Sequence, residues 1–395
     1  MQYFKNVLVR FRKSDRNLKI FLLGILFVGI NSGILTSSFN NYLYDIFSLG
    51  SEVRGFLELP REFPGFSVFF VFSIFYFISM KNWAVLVALF SGVGILGLGY
   101  LSPTLTLMTF FMVIWSLGDH LFMTVESSVG LALSQANKEG KRLGQLSGAR
   151  NFSAILGSSI VFIGFSKFHI TYHTLYLIAF VVAIIAAYLF SRLKLQSQAT
   201  IKKIKFIYRK EYNLYYALNV LFGVRKQMFL TFSPWVLISV FGTKPETIAM
   251  LIIIASVLGV FFRQAFGELT DRYGEAKMLK ADALFMVVIC LGFAFSKNVY
   301  LLYSLFIIDN LMFATRIART TYLNKIVREK TDLAPTLSLG VTIDHLFSMT
   351  APMVGGLLWV KYGYSSVFLA TIAVAALNFF AASRIQYESD AFLRQ

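Results

Sequence analysis

About twelve apolar runs, each long enough to cross the ~30 Å hydrocarbon core of a bilayer, follow one another along the chain. They lie near 18–44, 53–79, 82–101, 104–134, 146–166, 171–191, 212–240, 246–270, 277–296, 299–325, 335–360 and 364–384. Runs of this length are too long, and too weakly alternating, for barrel strands of roughly 10 residues. Inside lipid a helix satisfies its own backbone groups, so the expected fold class is all-α. With 57% apolar residues, 42 Phe, only 14% charged residues and a mean hydropathy of +0.67, the chain carries more apolar surface than one soluble core buries. The expectation is a polytopic membrane protein of 12 transmembrane helices.

A net charge of +17 suggests nucleic acid in a soluble protein, but here its distribution reports orientation. Of 37 Lys and Arg, 25 fall in one set of loops: the N-terminal segment, Lys81, residues 138–142, 192–211, 272–280, 325–330 and the C-terminal segment. The alternate loops hold 5, namely Arg54, Lys167, Lys244, Lys297 and Lys361. By the positive-inside rule both termini and the 192–211 stretch face the cytoplasm of a cell (inner or plasma) membrane, with no nucleic-acid partner. The first apolar run flows into polar Asn31, Thr36, Ser37, Asn40 and Asn41 without a small-residue cleavage site, so it is expected to be retained. The only cysteine, Cys290, lies in an apolar run, which offers neither a disulfide nor a thiolate metal site and reads as core filler.

The chain resembles itself. Gly118-Asp119-His120-Leu121 in the fourth run aligns with Ile308-Asp309-Asn310-Leu311 in the tenth, and Leu146-Ser147 with Leu337-Ser338, at offsets of 190 and 191. Leu26-Phe27, Thr36 and Ser38 correspond to Leu221-Phe222, Thr231 and Ser233 at 195. This is the pattern of six helices duplicated: an N-terminal bundle over 1–191, a basic cytoplasmic linker over 192–211 and a C-terminal bundle over 212–395. Between the eighth and ninth runs, residues 267–277 read Gly-Glu-Leu-Thr-Asp-Arg-Tyr-Gly-Glu-Ala-Lys. With Gly267, Leu269, Asp271, Arg272, Gly274 and Lys277 near their places, this resembles the cytoplasmic signature of the major facilitator superfamily.

That resemblance implies two pseudo-symmetric six-helix bundles that rock around a cargo held at mid-membrane, usually in a monomer. It also implies that the first, fourth, seventh and tenth helices line the cavity. These carry Asn31, Thr36, Ser38 and Asn40; Asp119, His120 and Glu126; Arg225, Lys226 and Gln227; and Asp309, Arg316 and Arg319. A charge at the bilayer centre costs at least about 2.5–3.5 kcal/mol, so each implies water, a partner or cargo. Asp119 and Glu126, like Asp309 and Arg316, are seven residues apart and share a helical face. One reading makes Arg225, Lys226, Asn31, Thr36, Asn40, Asp119, Asp309 and Arg316 cargo-binding, with Glu126, His120, Glu58, Glu62 and Asp344 candidates for proton coupling. The other has acids and bases pairing to stabilise an end-state without meeting cargo. The resemblance further assigns gating to the signature: Asp271 contacts a neighbouring helix and pairs with Arg319 or Arg316, bracing the cytoplasmic side when the outside is open, beside Arg272, with Gly267 and Gly274 permitting close packing and a tight turn. The chain departs from the family pattern at residues 78–82, which lack the signature, and at Glu275 and Ala276, where basic residues are common.

Glu58, Arg61 and Glu62 open the second run at i, i+3 and i+4, one stripe that pairs locally or forms an outer gate, with Pro60 and Pro64 shaping the helix start. Ala351-Pro352-Met353-Val354-Gly355-Gly356 resembles an antiporter element displaced into the eleventh run, and supports bending and close packing there. Asp344-His345 upstream is a second relay or a structural pair. Arg150 and Arg263 near helix ends read as snorkelling. Gly92-x-Gly94-x-x-Gly97 satisfies a dinucleotide fingerprint only literally, because no strand precedes it; helix packing explains it. No Walker loop, His-Glu-x-x-His element or nucleophile elbow is present, four scattered His make no metal site, and no cofactor or enzyme activity is expected. The function expected is secondary transport of a small polar, anionic or zwitterionic solute with proton coupling. Export of a drug or lipid, or a non-transporting sensor or assembly factor of the same fold, is the alternative.

Overall fold

The computed structural model describes residues 15–135, 138–195 and 208–385. Of the expected linker, residues 196–207 lie outside this set, as do the terminal basic residues Lys5, Arg10, Arg12, Lys13 and Arg394. Among the described residues the regular structure is helical, with no strand: α1 (Arg16–Phe47), α2 (Ser51–Phe56), α3 (Glu58–Ile74), α4 (Met80–Tyr100), α5 (Leu105–Ala132), α6 (Glu139–Phe168), α7 (Tyr172–Ser191), α8 (Asn213–Ser239), α9 (Pro245–Tyr273), α10 (Glu275–Phe295), α11 (Val299–Met312), α12 (Arg316–Ile326), α13 (Lys330–Tyr362) and α14 (Ser365–Ser383). Each apolar run of the sequence coincides with helix. Local chemistry sets the ends: Thr104, Thr171 and Asn298 cap α5, α7 and α11 through their side-chain oxygens, and Pro245 begins α9. Gly274, at φ +81°, makes the tight turn between α9 and α10 that the signature implies.

Nine helices among the described residues are long and apolar enough to cross a membrane. The long helices α8 and α13 are not in that set, and these carry Arg225, Lys226 and Asp344. On α10 the outward stripe Leu284, Phe285, Val288, Leu291 and Phe295 is exposed, while Asp282 and Cys290 lie on the buried face. An apolar exterior with charge turned inward is the arrangement lipid demands.

The described residues within Met1–Tyr42 and Ser67–Lys203 form one compact unit, those within Leu43–Phe66 and Ile204–Gln395 a second. In the first, α4 packs on α5 and α7 around Phe21, Trp83, Phe122 and Phe190. Gly94 of the literal fingerprint lies against Trp115 on α5, a helix-packing contact. The helices α1 and α6 touch backbone to backbone, because a Cβ at Gly33 meets the Ala154 carbonyl and one at Gly157 meets that of Ile30. Beside this contact the Ser37 hydroxyl donates to Ser158 at 2.7 Å. Gly157→Leu is therefore expected to lower stability by about 1–3 kcal/mol through overpacking, read as a lower melting temperature in detergent.

In the second unit α8 packs on α13 and α14, α10 on α14, and α2 on α13. Gly55 of α2 lies on the Pro352 carbonyl, which gives the Pro-Met-Val-Gly-Gly element its packing role. At the end of the basic stretch, the Arg209 Nε lies 2.8 Å from Asp332 and the Tyr212 hydroxyl donates to the same carboxylate at 2.8 Å. The Tyr212 hydroxyl, then Arg209, hold the Asp332 carboxyl below its ordinary range. A depressed folded-state value means that this stabilisation is present above the unfolded value near ~3.9 and is lost as pH falls through the folded one. Asp332→Asn is expected to flatten the acid limb of melting temperature against pH.

Candidate functional site

The second unit gathers most of the ionisable groups singled out above, and it pairs many of them. Arg225, 3% exposed, reaches across from α8 to donate to Asp282 on α10 at 2.5 Å. Lys226 donates to Asp344 on α13 at 2.7 Å, and both side chains are mostly buried. The two cations assigned to cargo are thus held by acids of their own unit. Asp309 on α11 is buried and makes no hydrogen bond or ion pair with the described residues. Arg319 is 1% exposed, with its guanidinium carbon 3.5 Å from the centroid of the Phe222 ring. Its Nε, Nη1 and Nη2 have no hydrogen-bond partner among the described residues.

A second cluster surrounds Glu58, which is fully buried. Arg54 donates to its Oε1 at 2.5 Å, while Arg61 and Gln227 donate to Oε2 at 2.5 and 2.6 Å. Arg61 also pairs with Glu62 at 2.8 Å, and His345 Nδ1 lies 3.0 Å from the Glu62 carboxylate. The i, i+3, i+4 stripe pairs locally, as its spacing implies, and extends to α8 and α13. Pro64 lies inside α3, where its missing N–H interrupts the backbone ladder.

In the first unit, Asn31 is buried and lines a small cavity with Val28, Val87, Ser91 and Phe122. The Ser91 hydroxyl donates to Asp119 at 3.3 Å, and His120 Nδ1 lies 2.9 Å from the Ser116 carbonyl. Glu126 is buried and pairs with Arg150 at 3.0 Å. Asn40 is half-buried and Thr36 exposed.

Several expectations are corrected. Asp271 is exposed and pairs with neither Arg319 nor Arg316: the first is enclosed against Phe222, and the second is exposed. Arg272 is exposed and lies over the Tyr273 ring. A Cβ at Gly267 meets nothing within 4 Å, so no close packing occurs there. Asp309 and Arg316 differ in environment, the first buried and the second exposed, and a 3-10 turn at Phe313–Thr315 lies between them. Arg150 is the partner of Glu126 rather than only a snorkelling cation. Arg54, counted as a loop charge, is buried.

Asp282 escapes the sequence reading, Arg54 reads there only as a loop charge, and Gln227 is noted beside Arg225 and Lys226 but not linked to Glu58. A lone acid inside the apolar run 277–296 was a signal for Asp282, since an unexplained charge there needs a partner. Nothing local marked Gln227 as the third donor to Glu58.

The family model described as Major Facilitator Superfamily matches residues 21–333 and 215–391. The fold is similar to that of a mutant of the nucleoside transporter NupG, with a TM-score of 0.78 and 14% identity over 93% of this chain and 99% of that one. It is also similar to a bacterial homologue of the human lysosomal transporter Spinster (TM-score 0.72, 14% identity, 93% and 96% covered) and to a D-xylose-proton symporter (0.68, 14%, 93% and 95%). At such identities the likeness shows the fold alone. The multi-drug resistance efflux pump PmrA of Streptococcus pneumoniae is 29% identical over 158 residues, a match that spans 38% of this chain and 38% of that relative.

Proposed function

Because the chain belongs to the major facilitator superfamily, we propose that it is a secondary transporter moving a small polar solute, anionic or zwitterionic, by alternating access and in exchange or company with protons. The observation that carries this reading is the set of ionisable groups on the buried faces of α8, α10, α11, α12 and α13: Arg225, Asp282, Asp309, Arg319, Lys226 and Asp344. A fold that needed only to persist in lipid would be as stable with apolar side chains there. Asp309 is the proton carrier in this scheme, since it is a buried carboxyl without a hydrogen bond, with Glu62 beside His345 as a second site. The segments 1–191 and 212–395 are the two alternating halves, the 192–211 linker and both termini are cytoplasmic, and the protein works as a monomer. The partial likeness to a drug exporter supports the second reading, efflux of amphipathic cations.

Proteoliposomes under an imposed pH gradient separate these possibilities, using labelled amino acids, a nucleoside, a pentose and a cationic dye. The expected result is gradient-stimulated flux of a polar solute, made insensitive to the gradient by Asp309→Asn. Flux of the dye alone would replace this reading with drug export, and absence of flux for every probe would leave a non-transporting protein.

A further inference from the structure

The second unit contains left-over hydrogen-bonding capacity of both signs. Arg319 presents a guanidinium whose three nitrogens are all unpartnered, although the residue is 1% exposed. Asp282 and Asp344 each spend Oδ2 on a cation, and in each Oδ1 is buried without a donor. Arg225, which holds Asp282, and Arg319 lie over the same Phe222 ring at 5.5 and 3.5 Å from its centroid, and Asp344 Oδ1 lies against the adjoining Gly223. Buried polar groups in folded proteins are almost always satisfied, so unmatched donors and unmatched acceptors in one region call for a visitor that brings both. The fork of a guanidinium fits the two oxygens of a carboxylate, and the Phe222 ring fixes its plane. The free carboxylate oxygens suit an ammonium.

Charge points the same way. With Asp309 ionised, Arg225, Lys226 and Arg319 are balanced by Asp282, Asp309 and Asp344, so in that protonation state the cluster is formally neutral. A zwitterion enters it without leaving net charge in the membrane, whereas a simple anion or cation does not. We propose that Arg319, stacked on Phe222, is the carboxylate receptor of a site for zwitterionic solutes whose ammonium acceptors are Asp282 and Asp344. Arg225 and Lys226 are then positioning residues that hold those two acids. As a statement about cargo this rests on the transport reading, but binding is measurable without flux.

The test is melting of the detergent-purified protein with glycine, L-leucine, L-phenylalanine and glycyl-L-leucine, each beside its C-terminal amide and its N-acetyl derivative. At least one zwitterion is expected to raise the melting temperature by about 5 °C or more at saturation, with neither derivative reproducing the shift. Arg319→Met abolishes the shift, Arg319→Lys weakens the apparent affinity at least about tenfold, and Arg263→Ala retains it. A second readout needs no ligand: Arg319→Lys keeps the positive charge that balances the acids and loses no hydrogen bond within the protein, so the unliganded variant melts no lower than the parent. A lower melting point would show that Arg319 has a structural partner and would overturn the proposal. So would an N-acetyl derivative as effective as its zwitterion, or the absence of a shift across the panel. Flux that survives Arg319→Met would sink this site and spare transport; binding without flux would spare the site and sink transport.

Discussion

Glu58→Ala is expected to be among the most damaging single substitutions in the chain, lowering stability by about 3–5 kcal/mol and the melting temperature by on the order of 10 °C. Its carboxylate accepts from Arg54, Arg61 and Gln227 in a site with no exposure to solvent. Removing it strips a buried Arg54 of its closest counter-charge, and the cost is that of stranding a cation rather than the worth of one ion pair. Glu58→Gln keeps the shape and part of the hydrogen bonding, so its loss is smaller. Arg54→Met combined with Glu58→Leu removes both signs together and is expected to melt well above Glu58→Ala. A double variant no better than the single would mean that the cluster is held by packing and not by charge.

Arg225→Ala is expected to have a comparable effect on folding and a larger one on transport. It leaves Asp282 buried without its hydrogen-bonded partner, which had stood at 2.5 Å. The charge-neutral pair Arg225→Met with Asp282→Leu should recover the melting temperature, because apolar replacements of a buried ion pair are commonly neutral or stabilising. Solute flux in proteoliposomes should stay lost, since the free oxygen of Asp282 disappears with the pair. Recovery of both properties would assign the pair to structure alone and remove Asp282 from the binding scheme.

Much of this was legible in the sequence because a bilayer imposes few solutions. Apolar length determined where helices run, and residues such as Thr104, Asn298 and Gly274 marked their ends by local chemistry. Charges in apolar runs marked Arg225, Lys226, Asp309 and Arg319 as turned away from lipid, because lipid does not tolerate them otherwise. Pairing was less legible. Glu58, Arg61 and Glu62 announce themselves by helical spacing, but Arg225 and Asp282 are separated by 57 residues, and only tertiary packing brings them together. The Asp271–Arg319 contact is not made in this structure: the signature places both residues near one membrane face, but says nothing of the Phe222 ring that encloses Arg319. The 3-10 turn at Phe313–Thr315 carries no Gly or Pro, so nothing in the local sequence marked the break between α11 and α12.

The most direct measurement is the reactivity of a thiol placed at the centre of the cluster. Cys290 is the only cysteine and is buried, so an Asp309→Cys, Cys290→Ser variant carries a single reporter. If α8 and α10–α13 line a route that opens to water, a charged, membrane-impermeant methanethiosulfonate will modify that thiol in proteoliposomes, and a solute that raises the melting temperature will slow the reaction. A thiol as inert as Cys290, with or without solute, would mean that water never reaches these charges and would contradict a transport role for them.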